Sequence, residues 1–272
     1  MADPADPNPA RFDAALIGSD VSRGEAAVAA AGGRVVARLS WGQTLGDLDQ
    51  RPVLVVEAEG ADEAVLAQAL PAVAEAAEAF RCAVVAAFDA ISIDVVAANL
   101  WGPRVELLCQ PSLPERAAAL ERAIAQPEAP GAVREGDDGG NALNYGAGPA
   151  LPADATAQLD AIAIRRAIRA RRMRDGFFIP GLFSDPAWDM LLDLHAAEAE
   201  DMPVSVSSLC IASAVAPTTA LRWIARMTED GLLERRPDAT DRRRAFMALT
   251  ETARDGMRGY LAGLARAGLV IG

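Results

Sequence analysis

Lysine is missing from this sequence of 272 residues, and all 26 of its basic residues are arginine. Its absence excludes the lysine of a P-loop phosphate site and any Schiff-base chemistry. His195 is the only histidine, and Cys82, Cys109 and Cys210 lie far apart without a CxxC pair. Such residues do not make the usual zinc sites or a disulfide framework, so we predict no metal and no cofactor.

Long apolar runs are lacking as well. No stretch approaches the roughly 20 apolar residues needed to span a bilayer. The acidic opening Met1–Pro9 has neither the basic nor the apolar region of a signal peptide. We therefore expect a cytoplasmic protein with no membrane partner.

An overall basic character is also absent, because the net charge is −12 at pH 7. Proteins that bind nucleic acid normally carry a basic footprint. The charge is unevenly distributed, however: residues 1–150 carry 10 arginines against 22 acidic residues, and residues 151–272 carry 16 against 16. The acidic excess lies entirely in the first half, so it does not exclude DNA binding by the second half.

Short apolar runs alternate with longer alanine-rich segments from Phe12 onward. The apolar runs predict five β-strands: Ala14–Gly18, Arg34–Leu39, Val53–Glu57, Cys82–Ala87 and Val105–Cys109. The segments between and after them predict helices at Ser22–Ala31, Asp62–Phe80, Ile91–Leu100 and Leu113–Ala125. Strands that alternate with helices favour a doubly wound parallel sheet covered on both faces. We therefore predict an α/β domain over residues 12–126.

The segment that follows differs in composition. Residues 127–153 are rich in glycine, proline and aspartate without an apolar period, which predicts a flexible linker. Residues 154–272 form the second predicted domain, which opens with a helix from Asp154 to Arg174 that has six arginines in its last ten residues. Two interpretations stay open: a dimer-forming helix with a solvated basic face, or a helix whose arginines contact flanking phosphates.

Residues 208–227 predict a short helix, a tight turn and a longer helix, which is the helix-turn-helix plan. Pro217 suits the first turn of the second helix, because its missing N–H would have no intrahelical partner there. The apolar residues at helical spacing are Leu209, Ala212, Val215, Ala220, Trp223, Ile224 and Met227. They predict a buried stripe, with Trp223 and Met227 in the core.

The opposite face of the second helix carries side chains suited to DNA. The candidate contacts on this helix are Pro217, Thr218, Thr219, Arg222 and Arg226. Its N-terminal end would enter a major groove and would favour phosphate through its free amides. Arginine can donate two hydrogen bonds to guanine, so Arg222 is expected to read a base. Arg226 is as compatible with a plain surface position as with a phosphate contact.

A β-hairpin is predicted after this helix. Gly231 ends the helix, residues 232–236 and 244–249 predict two strands, and the turn between them carries Asp238, Asp241, Arg242 and Arg243. Arginines at such a tip suit the narrow minor groove, where the negative potential is deepest. We expect Asp241 to orient one of them by a charge-assisted hydrogen bond. Asp241, Arg242 and Arg243 complete the candidate DNA contacts.

Three of these features resemble the MarR family of winged helix regulators: the turn, the glycine after the second helix, and the hairpin. The hairpin string is Asp238-Ala239-Thr240-Asp241-Arg242-Arg243, with Leu249-Thr250 behind it. The resemblance covers about Ile179 to Ala265. It implies an α+β winged helix-turn-helix and a homodimer whose terminal helices pack together and which binds near-palindromic DNA. Ala214 departs from the family, which often has glycine in this turn, a residue that takes a positive φ freely.

The five predicted strands and the Gln-Pro pair after the last one make residues 12–126 resemble a response-regulator receiver domain. Such a domain places a phosphate-accepting aspartate after the third strand, a magnesium-binding acidic pair after the first, a hydroxyl after the fourth and a lysine after the fifth. In this register the corresponding residues are Glu57 for the aspartate, Ser19 and Asp20 near the acidic pair, Ala86 or Ala87 for the hydroxyl, and Gln110 for the lysine. This degenerate pocket predicts a flavodoxin-like pseudo-receiver that is not phosphorylated by the usual route. Glu57 would then be either a fixed mimic of the charged state or a surface residue at the strand end.

These features predict a DNA-binding transcription regulator that acts as a homodimer on double-stranded DNA. The recognition helix would lie in the major groove and the wing in the minor groove, while the pseudo-receiver serves dimerisation or signal input from a regulatory protein. A protein-interaction adaptor, whose winged helix does not read DNA, is compatible with the zero net charge of residues 151–272. An enzyme is not favoured, because the sequence offers no nucleophile with a partnered base and no glycine-rich phosphate loop.

Overall fold

The computed structural model describes residues 10–43, 52–125, 161–179, 182–238, 240–241 and 243–271. Within it the chain divides into two compact units. The front unit contains a parallel sheet with its helices, and the rear unit contains the helix-turn-helix and the paired strands of the hairpin. The predicted linker over residues 127–153 lies outside the described residues, as does the start of the helix expected at Asp154.

The front unit is an α/β fold built on five parallel strands in the order β2-β1-β3-β4-β5. The strands are β1 (Asp13–Gly18), β2 (Arg34–Leu39), β3 (Val53–Glu57), β4 (Val84–Phe88) and β5 (Val105–Cys109). The helices are α1 (Ser22–Ala30), α2 (Glu63–Phe80), α3 (Ile93–Asn99) and α4 (Leu113–Ala125). All nine elements lie where the sequence predicts them, with ends displaced by no more than two residues.

Both faces of this sheet are covered. Strands β3 and β4 are buried over their whole length, which is the pattern of central strands under helices on each side. One face shares a core with α1 and α4 that includes Leu16, Val55, Val85 and Leu120. Helices α2 and α3 contact each other, and each buries apolar side chains, such as Leu70 of α2.

The rear unit combines helices with a small antiparallel sheet of order β6-β8-β7. Its helices are α5 (Ala161–Met173), α6 (Pro186–Ala199), α7 (Val206–Ala212), α8 (Pro217–Glu229) and α9 (Glu251–Ala267), with a 3-10 turn at Arg174–Gly176. Its strands are β6 (Val204–Ser205), β7 (Leu233–Pro237) and β8 (Ala245–Leu249). The predicted helix pair and both strands of the hairpin are therefore present.

Side-chain caps fix several helix starts in the rear unit. Asp185 accepts a hydrogen bond from the Trp188 backbone N–H at the start of α6, and Thr250 accepts one from Ala253 at the start of α9. Gly231 follows α8 with φ +71°, a left-handed conformation that glycine adopts without steric cost. The chain can therefore turn directly from α8 into β7.

In the described ranges, no single helix is both long and apolar enough to cross a bilayer. Helices α7 and α8 meet the requirement of length and composition only when joined across their 108° bend.

Candidate nucleic-acid interface

Helices α7 and α8 meet at a sharp bend of 108°. The Ser205 hydroxyl caps α7 by accepting the backbone N–H of Ser208 at 3.2 Å. Pro217 occupies the first turn of α8, where its missing N–H leaves no bond unmade. Local capping and the proline thus fix where each helix begins.

The turn between these helices contains an alanine in a left-handed conformation. Ala214 has φ +56°, a region that costs a residue with a Cβ about 1–2 kcal/mol. Its neighbour Ser213 is fully buried and donates a hydrogen bond from Oγ to the carbonyl oxygen of Cys210 at 2.6 Å. The turn therefore adopts at Ala214 a conformation better suited to glycine and is held in place by the buried serine.

The buried and exposed faces of α8 are clearly separated. Its buried residues are Ala220, Leu221, Ile224 and Met227. Its exposed residues include Thr219, Arg222, Trp223 and Arg226, whereas Pro217 and Thr218 are half-buried. The prediction that Met227 lies in the core is confirmed.

The prediction that Trp223 lies in the core is wrong. Trp223 is 40 % exposed, and Leu221, at 2 % exposed, fills the core in its place. An ideal helix sets Leu221 about 60° around the axis from Ile224 but sets Trp223 about 100° away. Trp223 thus lies beyond the edge of the buried stripe and joins the exposed face.

An ion pair lies on this exposed face. The Arg226 Nε donates to the Asp230 carboxylate at 3.0 Å, and both side chains are largely exposed. Thr219, Arg222, Trp223, Arg226 and Asp230 line one surface groove. Exposed pairs of this kind contribute only about 0.2–1 kcal/mol, so an incoming phosphate can compete for the arginine.

The hairpin pairs Leu233 with Leu249 and Pro237 with Ala245. In the loop between its strands, the Asp241 carboxylate accepts two hydrogen bonds from the Arg243 guanidinium, each 3.0 Å long, and one from the Arg243 backbone N–H. These bonds lower the pKa of Asp241 from 3.8 to about 2. The loop thus presents an exposed arginine in a fixed geometry. Arg242 lies outside the described residues.

The arginines of α5 do not form a wholly solvated face. Arg165 pairs with Asp193 and Glu200, and Arg171 donates to Asp189 at 2.9 Å. Arg172 donates to the carbonyl oxygen of Ala212, at the end of α7, at 2.7 Å. The basic face of α5 is therefore only partly solvated, because these three arginines tie α5 to α6 and α7.

The carboxyl edge of the front sheet brings the predicted receiver positions together. The strand register places Gly18 beside Glu57, and Glu57 beside Ala87. Asp20, just beyond β1, accepts the backbone N–H of Ser22, which lowers the pKa of Asp20. Gln110 follows β5 with φ +48°, and Ser19 is exposed beside Asp20.

Glu57 is not a strand-end surface residue, since it is 4 % exposed. The Arg116 guanidinium on α4 donates to both of its carboxylate oxygens, at 2.5 and 2.7 Å, and also binds Glu59. Burial raises the pKa of Glu57, and the positive charge of Arg116 opposes that shift. The alternative that placed Glu57 on the surface is therefore wrong.

Arg116 was not among the residues singled out in the sequence. It lies on the buried stripe of α4 with Ala119, Leu120 and Ala123. In a predicted helix, an arginine at position i with apolar residues at i+3, i+4 and i+7 indicates a buried arginine. Such an arginine indicates an acidic partner as well, because a buried cation requires one.

Comparison with known proteins places one family on the rear unit. Residues 189–253 match the family model of the winged helix DNA-binding domain. No curated protein matches the chain.

Several solved structures resemble the rear part of the chain at low identity. MepR of S. aureus in a DNA-binding conformation is 17 % identical, with a TM-score of 0.27, over 39 % of this chain and 74 % of its own. The transcriptional regulator Tm0710 of Thermotoga maritima is 23 % identical, with a TM-score of 0.25, over 39 % and 66 %. A mutant MarR of E. coli is 18 % identical, with a TM-score of 0.26, over 38 % and 74 %.

Proposed function

We propose that this protein is a DNA-binding transcription regulator that acts as a homodimer, with α8 in the major groove and the β7–β8 loop in the minor groove. The observation that supports this proposal most strongly is the division of α8 into a buried stripe and an exposed face that bears Thr219, Arg222 and Arg226. A helix whose outward face carries arginines in a winged helix domain suits the major groove. The match of residues 189–253 to that family supports the proposal.

Each candidate residue takes a distinct role in this proposal. Arg222 reads a guanine through two hydrogen bonds. Thr218, Thr219 and the helix start at Pro217 contact base edges or phosphates. Arg226 exchanges Asp230 for a phosphate.

The loop contributes to the minor groove in the same proposal. Arg243, held by Asp241, inserts where the groove is narrow, and Arg242 contacts the neighbouring backbone. The charge of Asp241 also keeps Arg243 oriented in the absence of DNA, which lowers the entropy lost on binding.

The homodimer is supported by apolar surface in the rear unit. Phe177 is 80 % exposed and Ile179 is 76 % exposed after α5, and Leu269 and Val270 are 62 % and 86 % exposed after α9. Large exposed apolar side chains that follow α5 and α9 fit an interface between two copies of this chain. Sedimentation of the full chain should therefore give a dimer, and replacement of Phe177 and Ile179 by serine should shift it to the monomer.

The front unit is a pseudo-receiver in this proposal and serves dimerisation or signal input from a regulatory protein. Its strand order, β2-β1-β3-β4-β5, is that of doubly wound flavodoxin-like sheets. Glu57 stands at the phosphoacceptor position but is enclosed by Arg116, which leaves its oxygens committed. Incubation with an acyl phosphate donor should give no stable label, whereas a label on Glu57 or Asp20 would overturn this assignment.

The test of DNA binding is a selection of genomic fragments by the purified full chain. The wild type should enrich a near-palindromic site, and Arg222→Ala should lose it. Arg258→Ala is the matched control, because Arg258 is a similarly exposed arginine on α9 that pairs within that helix. Enrichment that survives Arg222→Ala would contradict the role of α8.

A protein-interaction adaptor is the second candidate function. It is favoured by the ion pairs that already engage Arg226 with Asp230 and Arg243 with Asp241, which reduce the positive field of the surface. An adaptor would enrich no fragment above background in the selection, and its retained protein partners would be insensitive to Arg222→Ala.

A further inference from the structure

Trp223 is the one large apolar side chain on the outward face of α8 among the described residues. It is 40 % exposed and lines the same groove as Thr219, Arg222 and Arg226. Tryptophan at such a position offers a broad apolar surface and an N–H donor.

The core of the rear unit does not require Trp223. Leu221, Ile224 and Met227 face inward from the same helix and are each no more than 2 % exposed. The buried stripe is complete without the indole. A substitution at Trp223 is therefore expected to leave the fold intact, which separates a binding role from a structural one.

We infer that Trp223 contacts the 5-methyl group of a thymine in the major groove and so helps to determine which sequence is bound; this inference rests on the proposed DNA-binding function. Arg222 and Arg226 line the same groove as the indole. Asp230 also lines it and pairs with Arg226, but the two arginines outnumber this one carboxylate, so the groove complements a polyanion. The thymine methyl is the apolar group that a base pair displays in the major groove. The pairing of an apolar ring with neighbouring cations thus fits duplex DNA that has a thymine at this point.

The position of Trp223 on α8 restricts which thymine it reads. Trp223 lies one turn beyond Thr219, or about 6 Å along the helix axis. Its thymine should therefore lie within about two base steps of the base or phosphate that faces Thr219. A single position in each half-site is expected to respond.

The experiment uses the full chain and the duplex that it selects from genomic fragments. Each thymine of the site is replaced in turn by uracil, which removes only the methyl group. For the wild type, replacement of one particular thymine in each half-site should lower the affinity for the duplex about fourfold, which is the equivalent of one buried methyl group. Trp223→Ala should bind the thymine duplex and the uracil duplex with equal affinity. Trp223→Phe should retain most of the difference in affinity between the two duplexes.

Controls separate this role from loss of fold or of DNA binding. Trp223→Gln repeats the test with a polar residue that favours helix, and Met202→Ala removes another exposed apolar side chain of the rear unit. The salt dependence should be the same in wild type and Trp223 variants, because no charge is removed.

Two results overturn the inference while the proposed function survives. One is selective binding by the wild type with no thymine that responds to uracil. The other is a thymine-to-uracil difference that persists undiminished in Trp223→Ala and Trp223→Gln. Absence of selective DNA binding by the wild type would instead defeat the proposed function and this inference with it.

Discussion

One arginine pair in each unit shows how burial changes the role of the side chain: Arg116 in the front unit is buried, and Arg226 in the rear unit is exposed. In the front unit, the Arg116 side chain is 4 % exposed and is bound to Glu57 and Glu59. In the rear unit, Arg226 lies on the surface in an ion pair with Asp230, and 70 % of its side chain is exposed. A buried pair leaves an unpaired charge when one partner is removed, whereas an exposed pair exchanges partners at little cost. Burial therefore makes the first arrangement structural, and exposure makes the second suitable for binding an anion.

The largest expected effect is on the buried pair. Arg116→Met should lower the free energy of unfolding by about 3–5 kcal/mol, because Glu57 would remain buried without its partner. Urea unfolding of the full chain measures this effect. Arg122→Met on the same helix is the control, since Arg122 is 41 % exposed and pairs with Glu106, and should cost less than about 1 kcal/mol. Equal losses in the two variants would remove the distinction between buried and exposed pairs.

The same variant makes a prediction about pH. Without Arg116, the opposing charge is lost, so burial should raise the pKa of Glu57 further above its ordinary value of 4.5. A carboxyl group whose pKa is higher in the folded state stabilises the fold below its unfolded pKa, and this contribution is lost as the pH rises. The free energy of unfolding of Arg116→Met should therefore be closest to that of the wild type below about pH 4.5, and the difference between them should grow as the pH rises toward 8. Glu57→Leu combined with Arg116→Met should restore stability and abolish this pH dependence.

A smaller effect of opposite sign is expected in the helix-turn-helix. Ala214→Gly should stabilise the chain by about 1 kcal/mol, because glycine adopts φ +56° without the Cβ penalty. Ala225→Gly, in the interior of α8, should instead destabilise it by about 1 kcal/mol. Thermal unfolding measures both. Destabilisation by Ala214→Gly would show that the turn is not strained at this residue.

The smallest expected effect is at the exposed loop. The pKa of Asp241 should be near 2 in the wild type and should rise part of the way toward 3.8 in Arg243→Ala, since the substitution removes the side-chain hydrogen bonds and the charge of Arg243 but keeps the backbone N–H. A carboxyl group whose pKa is lower in the folded state contributes stability above its unfolded pKa and loses it as the pH falls through its folded pKa. The loop geometry should thus persist at pH 5, which carboxyl-detected NMR titration can follow. An unchanged Asp241 pKa in Arg243→Ala would remove the argument that this arginine is held in place.

Local pattern accounts for most of the fold that the sequence predicts. Strands such as Val53–Glu57 are short, apolar and bounded by turn residues, so their positions follow from composition alone. The break between α7 and α8 follows from Pro217 and from the change of apolar period around it. The hairpin strands end within one residue of their predicted bounds.

The site was harder to predict, for two physical reasons. The buried stripe predicted for α8 includes Trp223 and does not include Leu221, whereas helix geometry places Leu221 closer to the centre of the buried face. The pairing of Glu57 with Arg116 joins residues 59 positions apart, and a contact at that separation depends on how the strand and the helix are placed in three dimensions. Periodicity identifies a buried arginine but not its partner.

The most direct test of DNA binding by the rear unit is the salt dependence of affinity for the selected duplex. The logarithm of the association constant should fall linearly with the logarithm of the salt concentration. Arg226→Ala combined with Arg243→Ala should reduce the slope, because one substitution removes a phosphate contact and the other removes a cation from the minor groove. Arg258→Ala should leave the slope unchanged. A slope near zero in the wild type, or one that the paired substitutions do not alter, would contradict the assignment of these exposed arginines to DNA.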